Sequence, residues 1–124
     1  MSRRVLIVDD QPDIRRLIRM TLEHEPFELA EAADGAEALA IAGSWQPHLI
    51  LLDMMMPGGL DGVQVCQAVR ADPAAAGARL VLLTARADEQ TRAAALAAGA
   101  DEYLTKPFSP LQLLDLIDRL LAAD

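Results

Sequence analysis

The segment His48-Leu49-Ile50-Leu51-Leu52-Asp53 decides the fold, because its apolar residues are consecutive and end abruptly at an aspartate. A strand that is apolar at every position is buried on both faces, which is typical of a parallel sheet covered by helices. Residues 5–8 and residues 80–83 are two more runs of this kind, the first ending at Asp9-Asp10 and the second at Thr84. These three runs predict the central strands of one parallel sheet.

Two weaker strands are predicted as well. Residues 27–32 are interrupted by Glu28 and Glu31, as expected of a strand at the edge of a sheet. Residues 100–104 form the last predicted strand, and Lys106-Pro107 follows it. Five strands separated by helical segments predict an α/β fold of the (βα)5 type, a three-layer sandwich with a parallel five-stranded sheet.

The segments between the strands have the apolar spacing and the capping signals of helices. Pro12 suits a first helical turn, and the other four helices are expected to begin near Asp34, Asp61, Asp88 and Ser109. We expect Gly43 to end the second helix. In the first helix we expect one inward stripe and three outward arginines; the inward residues are Ile14, Leu17, Ile18, Thr21 and Leu22, and the outward ones are Arg15, Arg16 and Arg19.

Length, composition and charge limit the number of domains and the classes of function that the chain can have. The chain has 124 residues, which predicts a single domain over residues 1–124. Aromatic residues make up 3% and the formal net charge is -8, so contact with nucleic acid or an anionic membrane is disfavoured. The single cysteine, Cys66, cannot form an internal disulfide, and the apolar run after Arg3-Arg4 is too short for a signal peptide or membrane span. We therefore expect a cytoplasmic protein.

Polar residues lie at the predicted strand ends, where open parallel sheets form their sites. They are Asp9, Asp10, Asp53, Thr84 and Lys106. Three carboxylates at one edge repel each other by roughly 4 kcal/mol per pair at about 4 Å, so the fold needs compensating positive charge. Lys106 supplies one unit, and oxygen ligands without imidazole or thiolate indicate Mg²⁺ for the rest. An aspartate facing a metal and an ammonium is a nucleophile toward phosphorus, which predicts phosphoryl transfer onto Asp53.

The chain resembles, along its whole length, the receiver domain of bacterial two-component response regulators. Four motifs carry the resemblance, in this order and at the strand ends: Val8-Asp9-Asp10, Leu51-Leu52-Asp53-Met54-Met55-Met56-Pro57, Thr84-Ala85 and Tyr103-Leu104-Thr105-Lys106-Pro107-Phe108. The resemblance implies a flavodoxin-like fold with strand order 2-1-3-4-5. It also implies a signalling domain rather than an enzyme, which accepts a phosphoryl group from a histidine kinase or phosphotransfer protein.

The resemblance also implies individual roles at the site. Asp53 is expected to be the phosphoacceptor, and Lys106 to pair with the phosphoryl oxygens. Asp10 is expected to bind Mg²⁺ directly, and Asp9 mainly through water. The backbone carbonyl of Met55 is expected to be a further metal ligand.

Switching is expected to depend on Thr84 and Tyr103, which would alter the surface of the fourth helix, fifth strand and fifth helix.

The chain departs from the family in one loop. Gly58-Gly59-Leu60-Asp61 has one residue more than the family's commonest pattern between the proline and the glycine of the third helix. Because the extra residue lies beyond Met55, metal ligation should survive, whereas access to the site and docking of partners depend on the loop's shape.

Two other functions compete with the signalling hypothesis. A Mg²⁺-dependent phosphohydrolase with an aspartyl-phosphate intermediate would use the same nucleophile, metal carboxylates, threonine and lysine. Such enzymes of the haloacid-dehalogenase type carry a second aspartate two residues after the nucleophile, where this chain has Met55. A nucleotide-binding flavodoxin-like module would need a phosphate-cradling glycine loop after the first strand, and that loop is absent from the sequence.

The fifth helix carries an apolar stripe that is wider than one buried face requires, made of Leu111, Leu113, Leu114, Leu116, Ile117, Leu120 and Leu121. We expect Leu116 to be exposed on it, as part of a contact surface. Many DNA-binding regulators of the family form homodimers through this helix, the fourth helix and the fifth strand. If this chain dimerises there, apolar contact should matter more than ion pairs. The alternative is a helix that is apolar without serving a contact.

Overall fold

Strands and helices alternate along the chain in this computed structural model, which describes residues 3–56 and 59–122. The strands are β1 (Arg3–Val8), β2 (Phe27–Ala32), β3 (Leu49–Asp53), β4 (Arg79–Thr84) and β5 (Glu102–Thr105). The helices are α1 (Pro12–Leu22), α2 (Gly35–Trp45), α3 (Gly62–Ala71), α4 (Glu89–Ala97) and α5 (Pro110–Ala122).

The five strands form one parallel sheet in the order β2-β1-β3-β4-β5, which confirms the predicted topology. Because β1 has β2 on one side and β3 on the other, strand order reverses between β1 and β3, and a crevice forms at their carboxyl ends. Val8 pairs with Leu52 in register. The next residues, Asp9 and Asp53, therefore lie side by side at this crevice.

Helices cover both faces of the sheet, as the continuous apolar strands predicted. One core cluster lies under α1 and α5 and the other under α2, α3 and α4. Each central strand contributes alternate residues to the two clusters: Val5 and Ile7 pack under α1 and α5, and Leu6 and Val8 pack on the opposite face. All five residues of β3 are buried, so its terminal aspartate is held by a rigid strand.

Side-chain caps begin four of the helices where the sequence predicted them. Asp34, Asp61, Asp88 and Ser109 each accept a hydrogen bond from the backbone N–H three residues later. The prediction that Gly43 ends α2 is wrong, because the helix continues to Trp45, whose side chain packs against the core. A glycine inside a helix costs only about 1 kcal/mol, which this packing offsets.

The predicted faces of α1 are partly wrong. Ile18 and Leu22 are buried as expected, but Leu17 is 46% exposed. The arginine Arg15, predicted to point outward, has a side chain only 18% exposed, because it turns toward Glu31 on the edge strand β2. The buried stripe advances by four residues per step, so Leu17 falls outside it and Arg15 lies at its margin.

The expectation that Leu116 is exposed on α5 is also wrong. Its side chain is only 3% exposed and packs in the core cluster under α1 and α5. Leu113, Ile117 and Leu121 complete the buried face at the three- and four-residue spacing of a helix. The exposed leucine of this helix is Leu111, at 79%.

Candidate functional site

Asp9 is fully buried at the carboxyl end of β1, and hydrogen bonds fix both its backbone and its carboxylate. Its backbone N–H donates to Ala32 O at 3.2 Å, which extends the pairing of β1 with β2. Its Oδ1 accepts from the Gln11 N–H at 2.9 Å, and its Oδ2 accepts from Lys106 Nζ at 3.0 Å. Its backbone carbonyl accepts from Arg15 Nη1 at 2.6 Å. The carboxylate therefore has a single orientation.

Asp53 ends β3 and is only 4% exposed. Its Oδ1 accepts two hydrogen bonds of 3.3 Å, one from Lys106 Nζ and one from the backbone N–H of Met55. Lys106 thus bridges Asp9 and Asp53, and its backbone N–H donates to Thr84 O at 2.7 Å, which ties it to the end of β4. The backbone of Lys106 is therefore fixed to the sheet, and its ammonium group is fixed by the two carboxylates.

Asp10 completes a cluster of three carboxylates. One oxygen each from Asp9, Asp10 and Asp53 lies within 4.8 Å of the other two. Asp10 is partly exposed and makes no hydrogen bond through its carboxylate to the described residues. The cluster borders a cavity of about 270 Å³, whose lining residues are Asp10, Gln11, Asp53, Met55, Ala85 and Lys106.

The electrostatics of the cluster leave negative charge uncompensated. Burial, followed by the charge of Asp9, raises the pKa of Asp53 to about 6, although Lys106 and the Met55 N–H act in the opposite direction. Burial lowers the pKa of Lys106, but its hydrogen bond to Asp9 and the nearby charge of Asp53 outweigh this and raise the pKa overall. One ammonium faces three carboxylates. Grouped oxygen ligands with unmatched charge, open to a cavity, fit a divalent cation such as Mg²⁺.

Thr84 and Tyr103 occupy neighbouring strands but different environments. Thr84 is 3% exposed at the end of β4, and its Oγ1 accepts from the backbone N–H of Arg86 at 3.0 Å. Tyr103 lies half-buried on β5, paired in register with Leu82, and packs against the core cluster under α2, α3 and α4. Ala85, rather than Thr84, lines the cavity. The switch role of the two residues stays a prediction.

The backbone at the start of α3 packs tightly against the backbone at the end of β3. A Cβ at Gly62 would collide with the carbonyl oxygen of Asp53, so only glycine fits there. The Gly62 N–H donates to Met54 O at 3.0 Å, and Asp61 and Gln64 cap α3 reciprocally. Met55 is 74% exposed and its N–H is committed to Asp53. Gly58, the first residue of the four-residue segment that departs from the family's pattern, lies outside the described residues, as does Pro57 before it.

The structure brings Asp9, Asp10, Asp53 and Lys106 together, as the sequence predicted. Arg15, whose guanidinium contacts the Asp9 carbonyl, was not among the predicted site residues. A signal was available in the pair Arg15 and Arg19, four residues apart on α1, together with Glu31 in the predicted edge strand.

Comparison with known proteins shows the family to which the chain belongs. Residues 5–118 match the family model of the response regulator receiver domain, and the chain belongs to this family of two-component signalling domains. The transcriptional regulatory protein ResD of Bacillus subtilis is 42% identical over 118 residues, which cover 95% of this chain and 48% of ResD. The DNA-binding response regulator MtrA of Mycolicibacterium smegmatis is 40% identical over 114 residues, 92% of this chain and 48% of MtrA. The chain therefore spans about half the length of these relatives.

Solved structures agree with this assignment. The chemotaxis response regulator CheY4 of Vibrio cholerae superposes with a TM-score of 0.91 at 33% sequence identity, covering 97% of this chain and 99% of that chain. The phosphohydrolase alternative is not favoured by these relatives. Within residues 3–56 and 59–122, no helix is long and apolar enough to cross a membrane.

Proposed function

We propose that Asp53 accepts a phosphoryl group from a phosphohistidine on a histidine kinase or phosphotransfer protein. A carboxylate oxygen of Asp53 attacks phosphorus, and the bond between phosphorus and the donor's imidazole nitrogen breaks. The electron pair of that bond stays on the nitrogen, which then takes up a proton. The observation that carries this proposal is a nearly buried carboxylate, held by Lys106 and the Met55 N–H, that opens onto a cavity large enough for a phosphoryl group.

The donors around Asp53 are arranged to receive negative charge. Lys106 Nζ lies 3.3 Å from Asp53 Oδ1, and a fixed ammonium group at this distance stabilises charge on the transferred phosphoryl oxygens. The three clustered carboxylates fit Mg²⁺. Asp10, Asp53 and the Met55 carbonyl would hold the ion and Asp9 would act through water, as the resemblance to the family implies. When bound, the ion would neutralise charge on the phosphoryl oxygens.

The switch is proposed to begin at Thr84. Its Oγ1 already accepts a hydrogen bond from the Arg86 N–H, so its own hydroxyl proton is available to donate to a phosphoryl oxygen. Movement of Thr84 would change the packing around Tyr103 on the next strand and so alter the surface formed by α4, β5 and α5. To move the population from 1:99 to 99:1, phosphorylation must favour the active surface by about 5.5 kcal/mol.

The chain is proposed to act as a cytoplasmic signalling domain that catalyses only its own phosphorylation and dephosphorylation, with its output set by partners of the α4-β5-α5 surface. Homodimerisation through that surface is still a prediction, and it has to depend on residues other than the buried Leu116.

Acetyl phosphate tests the acceptor directly. With Mg²⁺, the wild type should gain a hydroxylamine-labile phosphoryl label, because acyl phosphates react with hydroxylamine, and Asp53→Asn should gain none. Asp118→Asn, which removes an exposed carboxylate of α5, is the matched control and should label like the wild type. Equal labelling of Asp53→Asn and the wild type would refute Asp53 as acceptor, and turnover of phosphomonoesters would favour the phosphohydrolase.

A further inference from the structure

Arg15 links the acidic site to the edge of the sheet. Its Nη1 donates to the backbone carbonyl of Asp9 at 2.6 Å, and its Nε donates to Oε1 of Glu31 on β2 at 3.1 Å. Arg19, one helical turn later, donates from Nε to the other carboxylate oxygen of Glu31 at 2.6 Å. Two arginines of α1 therefore hold one carboxylate of β2, and that carboxylate holds the guanidinium of Arg15 in place.

The contact with Asp9 is partly buried and directional. The side chains of Arg15 and Glu31 are 18% and 31% exposed, so water screens this pair less than a surface ion pair. A planar guanidinium bound at two edges cannot rotate without breaking a hydrogen bond. The Asp9 carbonyl belongs to the peptide plane that joins Asp9 to Asp10. Fixing the carbonyl fixes that plane, and with it the direction in which the Asp10 backbone leaves β1.

We propose that Arg15 is a positioning residue: by holding the Asp9–Asp10 peptide it presents the carboxylate of Asp10 to the divalent cation. This inference rests on the proposed function, in which Asp10 is a metal ligand. Groups that orient metal ligands typically change metal affinity by about 10- to 100-fold when removed. Arg15 does not touch the phosphoryl group or the reacting atoms, and it acts through Asp10.

The positioning role and a simple charge effect predict opposite results. Removing a cation near a cluster of carboxylates makes the local potential more negative, which by itself tightens Mg²⁺ binding. Loss of positioning weakens Mg²⁺ binding. The sign of the change in Arg15→Gln therefore separates the two effects.

The experiment is a Mg²⁺ titration of the metal-free chain at fixed ionic strength. Arg15→Gln should weaken binding about tenfold. Arg15→Lys, which keeps the charge but cannot bridge both acceptors, should fall between Arg15→Gln and the wild type. The matched control is Arg16→Gln, since Arg16 is exposed on the same helix and makes no ion pair with the described residues. It should bind Mg²⁺ as tightly as the wild type, or slightly more tightly.

A second readout needs no metal. The Gln11 N–H donates to Asp9 Oδ1 within the same turn, so its hydrogen exchange in EDTA should be faster in Arg15→Gln and unchanged in Arg16→Gln. If Arg15→Gln does not fold in a urea titration, Glu31→Leu is used, which retains Arg15 but removes the acceptor of its Nε. Because loss of a carboxylate weakens Mg²⁺ binding by charge alone, the readout for Glu31→Leu is exchange of the Gln11 N–H in EDTA, which should be faster than in the wild type; unchanged exchange would refute the positioning role.

The outcomes distinguish this inference from the function on which it rests. If the wild type binds Mg²⁺ and Arg15→Gln binds as tightly as Arg16→Gln, the positioning role is refuted while the acceptor site stands. If the wild type binds no Mg²⁺, the metal site of the proposed function fails and this inference fails with it.

Discussion

The charge on Asp53 should make the metal-free domain less stable at neutral pH, and Asp53→Asn should therefore stabilise it. Burial and the charge of Asp9 raise the pKa of Asp53 from 3.8 to about 6 in the folded protein. A shift of this size corresponds to about 3 kcal/mol between the protonated and ionised states. The attraction of Lys106 is already included in that pKa, so the figure is a net cost of ionisation. Asparagine keeps the shape of the side chain and removes the charge.

The pH dependence follows from the direction of the shift. Because the folded pKa is above the unfolded one, the folded state retains the proton while the unfolded state has already lost it. The wild type therefore loses stability as pH rises from about 4 to about 6, and the cost is complete above that range. The advantage of Asp53→Asn should be about 3 kcal/mol at pH 8 and should disappear below pH 4.

Urea unfolding in EDTA, followed by circular dichroism at several pH values, measures this difference. Asp118→Asn is the control for loss of a carboxylate and should change stability by less than about 0.5 kcal/mol. Mg²⁺ at a hundred times its dissociation constant should then stabilise the wild type by about 2.7 kcal/mol and Asp53→Asn by much less. An Asp53→Asn protein that is no more stable than the wild type at pH 8, or whose advantage does not depend on pH, would refute the reasoning.

Four further substitutions test other parts of the account. Lys106→Met leaves the Asp9 and Asp53 carboxylates without their cation, so urea unfolding in EDTA at pH 7 should show a loss of about 3 kcal/mol; no loss would contradict the bridging role. Gly62→Ala should force the β3–α3 loop away from the Asp53 carbonyl and slow labelling by acetyl phosphate about tenfold or more, and wild-type labelling would contradict the steric argument. Thr84→Ala should keep labelling but weaken the change in amide exchange on α4 and β5 after phosphorylation, and an unchanged response would argue against the switch. Leu116→Ala should lower the free energy of unfolding by 2–5 kcal/mol, whereas the exposed Leu111→Ala should change it by less than about 0.5 kcal/mol; equal effects would contradict the burial of Leu116.

Most of the fold follows from residues whose local signal agrees with their final environment. The run ending at Asp53 is apolar throughout because the sheet buries both of its faces, and the same is true of the run ending at Asp9. The capping aspartates also act locally, since each bonds to a backbone N–H three residues ahead. Such features can be read from sequence because each is visible within a few consecutive residues.

The errors arise where a distant contact decides the outcome. Arginine is a residue type usually found at the surface, so the sequence predicts an exposed Arg15. Only the register between β1 and β2 brings Glu31 close enough to form a hydrogen bond with Arg15. Leu116 sits on an apolar stripe too wide to show, from sequence alone, which of its leucines face the sheet. Gly43 is a plausible helix end, but the packing of Trp45 two residues later extends α2. The carboxylate cluster could be predicted because it needs only that the strands end at the same edge of the sheet. Its hydrogen bonds could not be predicted, because they depend on the register between the strands.

The most direct test of the central claim is to map the phosphoryl label on the wild type. After incubation with phosphoramidate, whose P–N bond resembles that of phosphohistidine, peptide mass spectrometry locates the modified residue. The expected result is a Mg²⁺-dependent, hydroxylamine-labile modification on Asp53 alone. A stable modification on His24 or His48, or labelling that persists in EDTA, would contradict it.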